Sequence, residues 1–142
     1  MSELTHCVRV FVYRMEQGCP SYLLLRSAQG IEGFWTPVHG PIGFGEDLEH
    51  AIRREVLDDV GISRATEVVD LAMPSRWLLG DEEVIEWNYG LRATPADHED
   101  LKLDHERWEA FRWAGFGQAY PSLELEFDRA AIVRLHTILS AA

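Results

Sequence analysis

The chain has 142 residues, of which 46% are hydrophobic, and a formal net charge of −11 at pH 7. This length suits a single domain with a sizeable core, and the acidic charge argues against binding to nucleic acid polymers, although a divalent metal permits a small phosphorylated ligand. Because no apolar run reaches about 18 residues and the N-terminus lacks basic and apolar leader segments, we expect no membrane span and no secretory signal. Cys7 and Cys19 lack metal-ligand spacing and predict reduced thiols in a cytoplasmic protein.

The first part of the chain predicts paired strands and then a glycine-rich loop. Residues 8–13 (VRVFVY) and 22–25 (YLLL) are apolar and β-prone, and the EQGCP segment between them predicts an antiparallel hairpin or meander. Residues 35–38 predict a further short strand. The loop that follows contains three glycines, which permit unusual backbone angles: Gly40, Gly43 and Gly45.

Residues 48–60 predict an amphipathic helix. Apolar side chains recur at helical spacing and predict its core stripe: Leu48, Ala51, Ile52, Val56 and Val60. Either Asp47 or Glu46 is placed to cap the positive end of the helix, and Gly61 is a natural stop at its other end.

The second half predicts three further strands and a second helix. Residues 68–73, 84–93 and 110–114 read as strands, and the polar stretch 94–106 reads as a loop. A helix is predicted over residues 127–139, with four side chains facing inward: Ala131, Ile132, Leu135 and Leu139. Strands accompanied by two helices fit an α/β/α sandwich.

The first predicted helix carries three carboxylates on one face. Glu55, Asp58 and Asp59 stand at positions i, i+3 and i+4, which project from neighbouring turns of a helix. We expect this face to be exposed. Like charges this close repel each other, so they require water, a cation or an arginine to neutralise them.

The segment from residue 40 to residue 62 resembles the Nudix box, the signature G-x5-E-x7-R-E-U-x-E-E-x-G-U of the Nudix hydrolase superfamily, in which U is a bulky aliphatic residue. Its fixed positions are occupied here by Gly40, Glu46, Arg54, Glu55, Val56, Gly61 and Ile62, with Asp58 and Asp59 in place of the Glu-Glu pair. Flanking residues are also similar to the family, namely Trp35 and Pro37 before the box and Phe111, Arg112 and Trp113 after it.

The resemblance covers essentially the whole chain. It implies one Nudix domain over residues 1–142, an α/β/α sandwich with a mixed central sheet and with the catalytic loop and helix on one side. It also implies metal-dependent hydrolysis of a pyrophosphate bond in a nucleoside diphosphate-linked compound. A weaker likeness to the dATP and dihydroneopterin triphosphate pyrophosphohydrolases favours a (deoxy)nucleoside triphosphate or dihydroneopterin triphosphate as substrate. Homodimers are common in the family, so a homodimer is a further expectation.

The metal site expected from the resemblance consists of Glu55, Asp58 and Asp59, with the Gly40 carbonyl as a backbone ligand. Hard oxygen donors of this kind suit Mg2+ or Mn2+. The two aspartates are the main departure from the family pattern, because each carboxylate reaches about 1.5 Å less far than that of a glutamate. The change leaves three outcomes open: a compensated active enzyme, an enzyme of weakened activity and an inactive protein.

Three other residues of the box receive roles from the resemblance. Arg54 is expected to orient the carboxylates, by pairing either with Asp58 or with Glu46 across the loop. Glu46 and Gly61 are then structural. The general base is expected to be Glu55 or a carboxylate near Glu106.

A second departure from the family precedes Trp113. Many relatives carry a Glu-His pair six and five residues before the matching tryptophan, and this chain has Arg107 and Trp108 there. Four nearby side chains can substitute for the missing glutamate, although each is more often a solvated loop charge: Asp104, His105, Glu106 and Glu109. Arg107 itself suits a phosphate, because its guanidinium presents a planar fork of donors.

Aromatic residues near the box are candidates for contact with the substrate. Trp35 lies beside the box and can stack on a base or pterin ring, although large aromatics also build cores. His39 precedes Gly40 and can reach a phosphate, whereas a lone histidine beside a strand more often packs or caps. Trp77 and Trp87 are candidates for a pocket or a dimer surface.

Two rival functions come from other classes. The first is a Nudix-fold module that binds nucleotides without turnover, favoured by Asp58, Asp59 and Arg107. The second is a protein interaction module, which an exposed patch of Trp77, Trp87 and Trp108 would favour. The expected partner of the enzyme is a small phosphorylated substrate.

Overall fold

The computed structural model describes residues 3–27, 34–94 and 101–141. Within these ranges it contains seven strands: β1 (Glu3–Glu16), β2 (Cys19–Ser27), β3 (Trp35–Thr36), β4 (Val38–Pro41), β5 (Ala65–Leu79), β6 (Glu82–Ala93) and β7 (Trp108–Gly115). It also contains three helices: α1 (Leu48–Val60), α2 (Phe116–Ser122) and α3 (Glu126–Ser140). None of the helices in the described ranges is long and apolar enough to cross a membrane.

The strands form a mixed sheet in the order β3-β2-β1-β6-β5, with β4 also paired to β1 and β7 to β2. The predicted hairpin is confirmed, because β1 and β2 are antiparallel with Tyr13 opposite Tyr22. β1 runs parallel to β6, with Val8 opposite Trp87, whereas β5 and β6 are antiparallel. The expected mixed central sheet is therefore confirmed.

Helices pack on both faces of this sheet. Val8, Val10 and Val12 alternate along β1 and pack with the apolar stripe of α1 in one core cluster. Phe11 and Tyr13 point to the opposite face and pack in a second cluster with the buried side of α3, which consists of Ala131, Ile132 and Leu135. The predicted α/β/α sandwich is thus confirmed, with α1 and the loop before it on one side.

The bounds of α1 are those predicted from the apolar stripe and its flanking residues. Asp47 is the N-cap and accepts a 2.8 Å hydrogen bond from the His50 amide, so the cap is Asp47 and not Glu46. Gly61 has φ 77° and donates its amide to the Leu57 carbonyl. A side-chain carbon at Gly61 would lie 2.9 Å from Cβ of Lys102, so close packing as well as the backbone angle requires glycine.

Other elements differ from the prediction in extent. β5 and β6 are longer than expected and form a hairpin that turns at Gly80, with φ 63°. α2 was not predicted, because Gly117 and Pro121 lower its helix propensity. Residues 95–100 of the predicted loop lie outside the described residues, but the chain that follows returns to α1, where the Asp104 amide donates to the Asp59 carbonyl at 2.8 Å.

Candidate active site

The loop before α1 and the helix itself are joined by Glu46. Its carboxylate accepts two hydrogen bonds from Arg54, at 2.7 and 2.9 Å, one from the Gly43 amide at 2.8 Å and one from His50 at 2.5 Å. The hydrogen bonds from Arg54, followed by that from Gly43, lower the pKa of Glu46 from 4.5 to about 2. Glu46 therefore stays ionised and holds the glycine-rich loop against the first turns of the helix.

Arg54 connects this loop to the next carboxylate of the box. Its Nη1 lies 2.9 Å from Glu55 Oε1, while Nη2 also donates to the Pro41 carbonyl at 2.9 Å. Of the two partners left open by the sequence, Glu46 takes the close bidentate contact, and Asp58 lies 3.9 Å away. Arg54 thus fixes the position of Glu55 from one side.

Gly40 allows β4 to pass directly beside the Glu55 carboxylate. A Cβ atom at Gly40 would overlap the carboxyl carbon and both oxygens of Glu55, so a larger residue at this position would displace the carboxylate. Gly40 is buried in β4, where it pairs with Val8 of β1. Because Gly40 has no side chain, the backbone of β4 can contact the Glu55 carboxylate of α1 directly.

Arg107 lies on the other side of Glu55, between two carboxylates. Its Nη1 is 2.8 and 3.0 Å from the two oxygens of Asp59 and 3.4 Å from Glu55 Oε2. Its Nη2 donates to the His39 carbonyl at 2.9 Å. The guanidinium of Arg107, a candidate for phosphate contact, is directed in this structure at the carboxylates of the box.

The expected exposure of the carboxylate face is wrong for two of its three members. Glu55 is 4% exposed and Asp59 is 1% exposed, whereas the Asp58 side chain is 60% exposed. The reason is that β4 and Arg107 cover this side of α1 and the arginines balance its charge. Among residues 3–27, 34–94 and 101–141, no three His, Cys, Asp or Glu side chains converge as a metal-binding group, so Asp58 does not join the other two.

Burial also shifts the pKa of two groups close to Arg107, Asp59 and His39. Burial raises the pKa of Asp59 from 3.8 to about 6, against the opposing effect of Arg107, so Asp59 is ionised at neutral pH. Burial, with Arg9 and Arg107 nearby, lowers the pKa of His39 to about 3. The His39 ring is therefore neutral and packs edge-on against Trp108 at 5.4 Å, so it brings no charge to a phosphate.

The remaining candidates lie apart from the paired carboxylates. Glu106 is exposed in the turn before β7, where its amide donates to Asp104 Oδ1 at 3.1 Å, and its neighbour Arg107 faces the box instead. Trp35 packs against the core cluster on the α3 side, with the guanidinium carbons of Arg112 and Arg26 at 4.7 and 5.3 Å from its ring centre.

The tryptophan patch that favoured an interaction module is not formed as expected. Trp108 is 2% exposed and belongs to the core cluster under α1. Trp77 is partly exposed and donates its indole N–H to Glu86 at 2.8 Å. Trp87 lines a cavity beside the glycine-rich loop together with His6 and the fully exposed Phe44. That cavity is a candidate pocket which the sequence indicated only through Trp87.

Comparison with known proteins identifies the family to which the chain belongs. The family model described as NUDIX domain matches residues 4–135 of the chain. Similar solved structures include a Caenorhabditis elegans Ap4A hydrolase binary complex, with a TM-score of 0.76 and 19% identity over 97% of this chain and 99% of that one. The Escherichia coli dihydroneopterin triphosphate pyrophosphohydrolase has a TM-score of 0.76 and 19% identity over 94% and 95% of the two chains. The NUDIX domain of Shewanella oneidensis NrtR, complexed with ADP ribose, has a TM-score of 0.74 and 13% identity over 98% and 90%. No curated protein matches the chain.

Proposed function

We propose, from the premise that this chain belongs to the NUDIX domain family, that it hydrolyses a pyrophosphate bond in a nucleoside diphosphate-linked compound. The proposed substrates are a (deoxy)nucleoside triphosphate or dihydroneopterin triphosphate. The observation that carries the proposal is the pair of buried carboxylates, Glu55 and Asp59, whose oxygens converge on one guanidinium nitrogen of Arg107. Buried carboxylates are costly without a positive partner, so two that share one position favour a cation there.

The donors around this point fit a divalent cation once Arg107 moves away. Glu55, Asp59 and the His39 carbonyl supply only hard oxygen atoms, which Mg2+ and Mn2+ prefer. When bound, the cation would offset the phosphate charge and lower the pKa of a bound water. The resemblance implies the Gly40 carbonyl as a backbone ligand of the metal. Because the neighbouring His39 carbonyl accepts a hydrogen bond from Arg107, we propose that this part of β4 supplies the backbone ligand. Asp58 is exposed at the rim and is the proposed third carboxylate.

Three side chains have proposed roles in hydrolysis: Glu55, Arg54 and Glu106. Glu55 is the proposed base that takes a proton from the attacking water, because it is buried, held by Arg54 and adjacent to Asp59. Arg54 positions that carboxylate. Glu106 remains a second candidate for the base, since its exposed turn lies next to Arg107 in the chain.

A nucleotide-binding module without turnover is the second candidate function. The observation that favours it is the set of ion pairs from Arg107, which neutralise Glu55 and Asp59 without a metal. A module of this kind would be stabilised by nucleotides but would release no product.

The proposal further includes a cytoplasmic location with reduced thiols, which cell fractionation would test, and a homodimer, which light scattering would test.

The test of the enzymatic proposal is the release of phosphate or pyrophosphate by purified protein with Mg2+ or Mn2+. The substrates are deoxynucleoside triphosphates, dihydroneopterin triphosphate, ADP-ribose, sugar nucleotides and diadenosine polyphosphates. Glu55→Gln is the matched control, because it removes the charge of the proposed base but keeps its size. Turnover that this variant abolishes supports the hydrolase. A rise in melting temperature with nucleotide, but no product, supports the binding module.

A further inference from the structure

We infer that Arg107 is an internal counter-ion that competes with divalent metal for the oxygens of Glu55 and Asp59. One nitrogen of its guanidinium contacts three carboxylate oxygens, at 2.8, 3.0 and 3.4 Å, and the other contacts the His39 carbonyl at 2.9 Å. These are the same oxygens that a hard cation would use. The guanidinium and a metal ion therefore cannot both hold them. This inference rests on the proposed function only for the identity of the site.

The charges around the guanidinium explain why it lies there. Glu55 and Asp59 are almost fully buried and would repel each other without a cation. Arg54 reaches Glu55 but also serves Glu46, so it cannot balance Asp59 as well. Arg107 supplies the missing positive charge. A divalent ion that entered beside an unmoved Arg107 would meet this charge at close range, and its affinity would fall.

The anchoring of Arg107 allows its side chain to leave without unfolding the core. Its backbone is fixed by the turn at residues 104–108, where the amides of Arg107 and Trp108 both donate to the Asp104 carbonyl, at 3.1 and 2.8 Å. Trp108 is buried in the core under α1. The Arg107 side chain, in contrast, is 37% exposed. The guanidinium can therefore swing toward solvent while its backbone stays in place, and an incoming phosphate would offer it a new anionic partner.

The competition makes metal binding depend on the charge of residue 107. Arg107→Met keeps much of the apolar length of the side chain and removes its charge, so it should bind Mn2+ about ten times more tightly than the wild type, or tighter still. Arg107→Lys keeps the charge and should bind Mn2+ with an affinity closer to that of the wild type. Arg112→Met, which changes an arginine on β7 that stacks on Trp35, should leave Mn2+ affinity unchanged.

The experiment measures Mn2+ binding to the full chain without substrate, by the loss of the electron paramagnetic resonance signal of the free ion. Tighter binding by Arg107→Met alone supports the inference, and equal or weaker binding overturns it. If Arg107→Met is unfolded without metal, Mn2+ should restore its circular dichroism spectrum, and failure to do so also overturns the inference. Hydrolysis by the wild type without a gain in Arg107→Met would uphold the proposed function and reject the counter-ion. A gain without hydrolysis would do the reverse.

Discussion

The contact between Gly40 and Glu55 gives a prediction whose size follows from the structure. In Gly40→Ala the new methyl group would lie well inside 3.0 Å of the Glu55 carboxylate, which is buried and held by Arg54. Relieving the overlap requires β4 and the carboxylate to separate by about 1 Å, and a shift of this size costs about 100-fold in rate. Because overpacking a tight site costs about 1–3 kcal/mol, the free energy of unfolding should fall by that amount.

The assay for Gly40→Ala combines initial rates on the best substrate with a thermal melt. A loss of about 1–3 kcal/mol corresponds to a melting temperature lower by roughly 3–10 °C in a domain of this size. Gly117→Ala in α2 is the control, since a methyl group there meets no atom within 4 Å. If Gly40→Ala keeps the wild-type rate and melting temperature, the close contact between β4 and Glu55 is not part of the working site.

Two further predictions concern charges outside the paired carboxylates. Arg9→Met leaves the fully buried Asp128 without its bidentate partner at 2.7 and 2.8 Å, so urea denaturation should show a loss of about 3–5 kcal/mol, whereas the exposed Arg76→Met should change stability by less than about 1 kcal/mol. Equal effects of the two changes would contradict the role of the buried network. The pKa of Glu46 is lowered from 4.5 to about 2 in the folded state, so the unfolded chain binds the proton more tightly. The ionised Glu46 therefore stabilises the fold above pH 4.5, and this stabilisation is lost as pH falls from about 4.5 to about 2. The free energy of unfolding, measured by denaturation between pH 2 and pH 7, should therefore depend less steeply on pH in Glu46→Gln than in the wild type. Identical slopes in the two proteins would contradict this role of Glu46.

The sequence predicted the local features of the site well. The bounds of α1 followed from an apolar stripe with strong end signals, because Asp47 and Gly61 act within one turn of the helix. The pairing of β1 with β2 followed in the same way from two apolar segments around a short turn. Such features depend on neighbours along the chain, which a sequence displays directly.

The features that the sequence did not predict depend on contacts between distant residues. Glu55 and Asp59 were expected on an exposed face because charged residues are usually solvated, and their burial depends on Arg107, 52 residues beyond Glu55. The only sequence signal for this contact was an arginine where many relatives have a glutamate. In the same way, the sequence alone allows Trp108 in a surface patch, whereas the turn that directs Arg107 at the box places Trp108 in the core.

The most direct test of the proposed hydrolysis compares the wild type with Glu55→Gln on each substrate, with Mg2+ present and then removed by chelation. Phosphorus NMR would identify the products and so the bond that breaks. We expect cleavage of a phosphoanhydride bond that needs the cation and that Glu55→Gln slows by at least about 100-fold, as expected when a catalytic base is lost. Cleavage that is unchanged in Glu55→Gln, or a well-folded wild type that binds nucleotides and cleaves none of them, would contradict it.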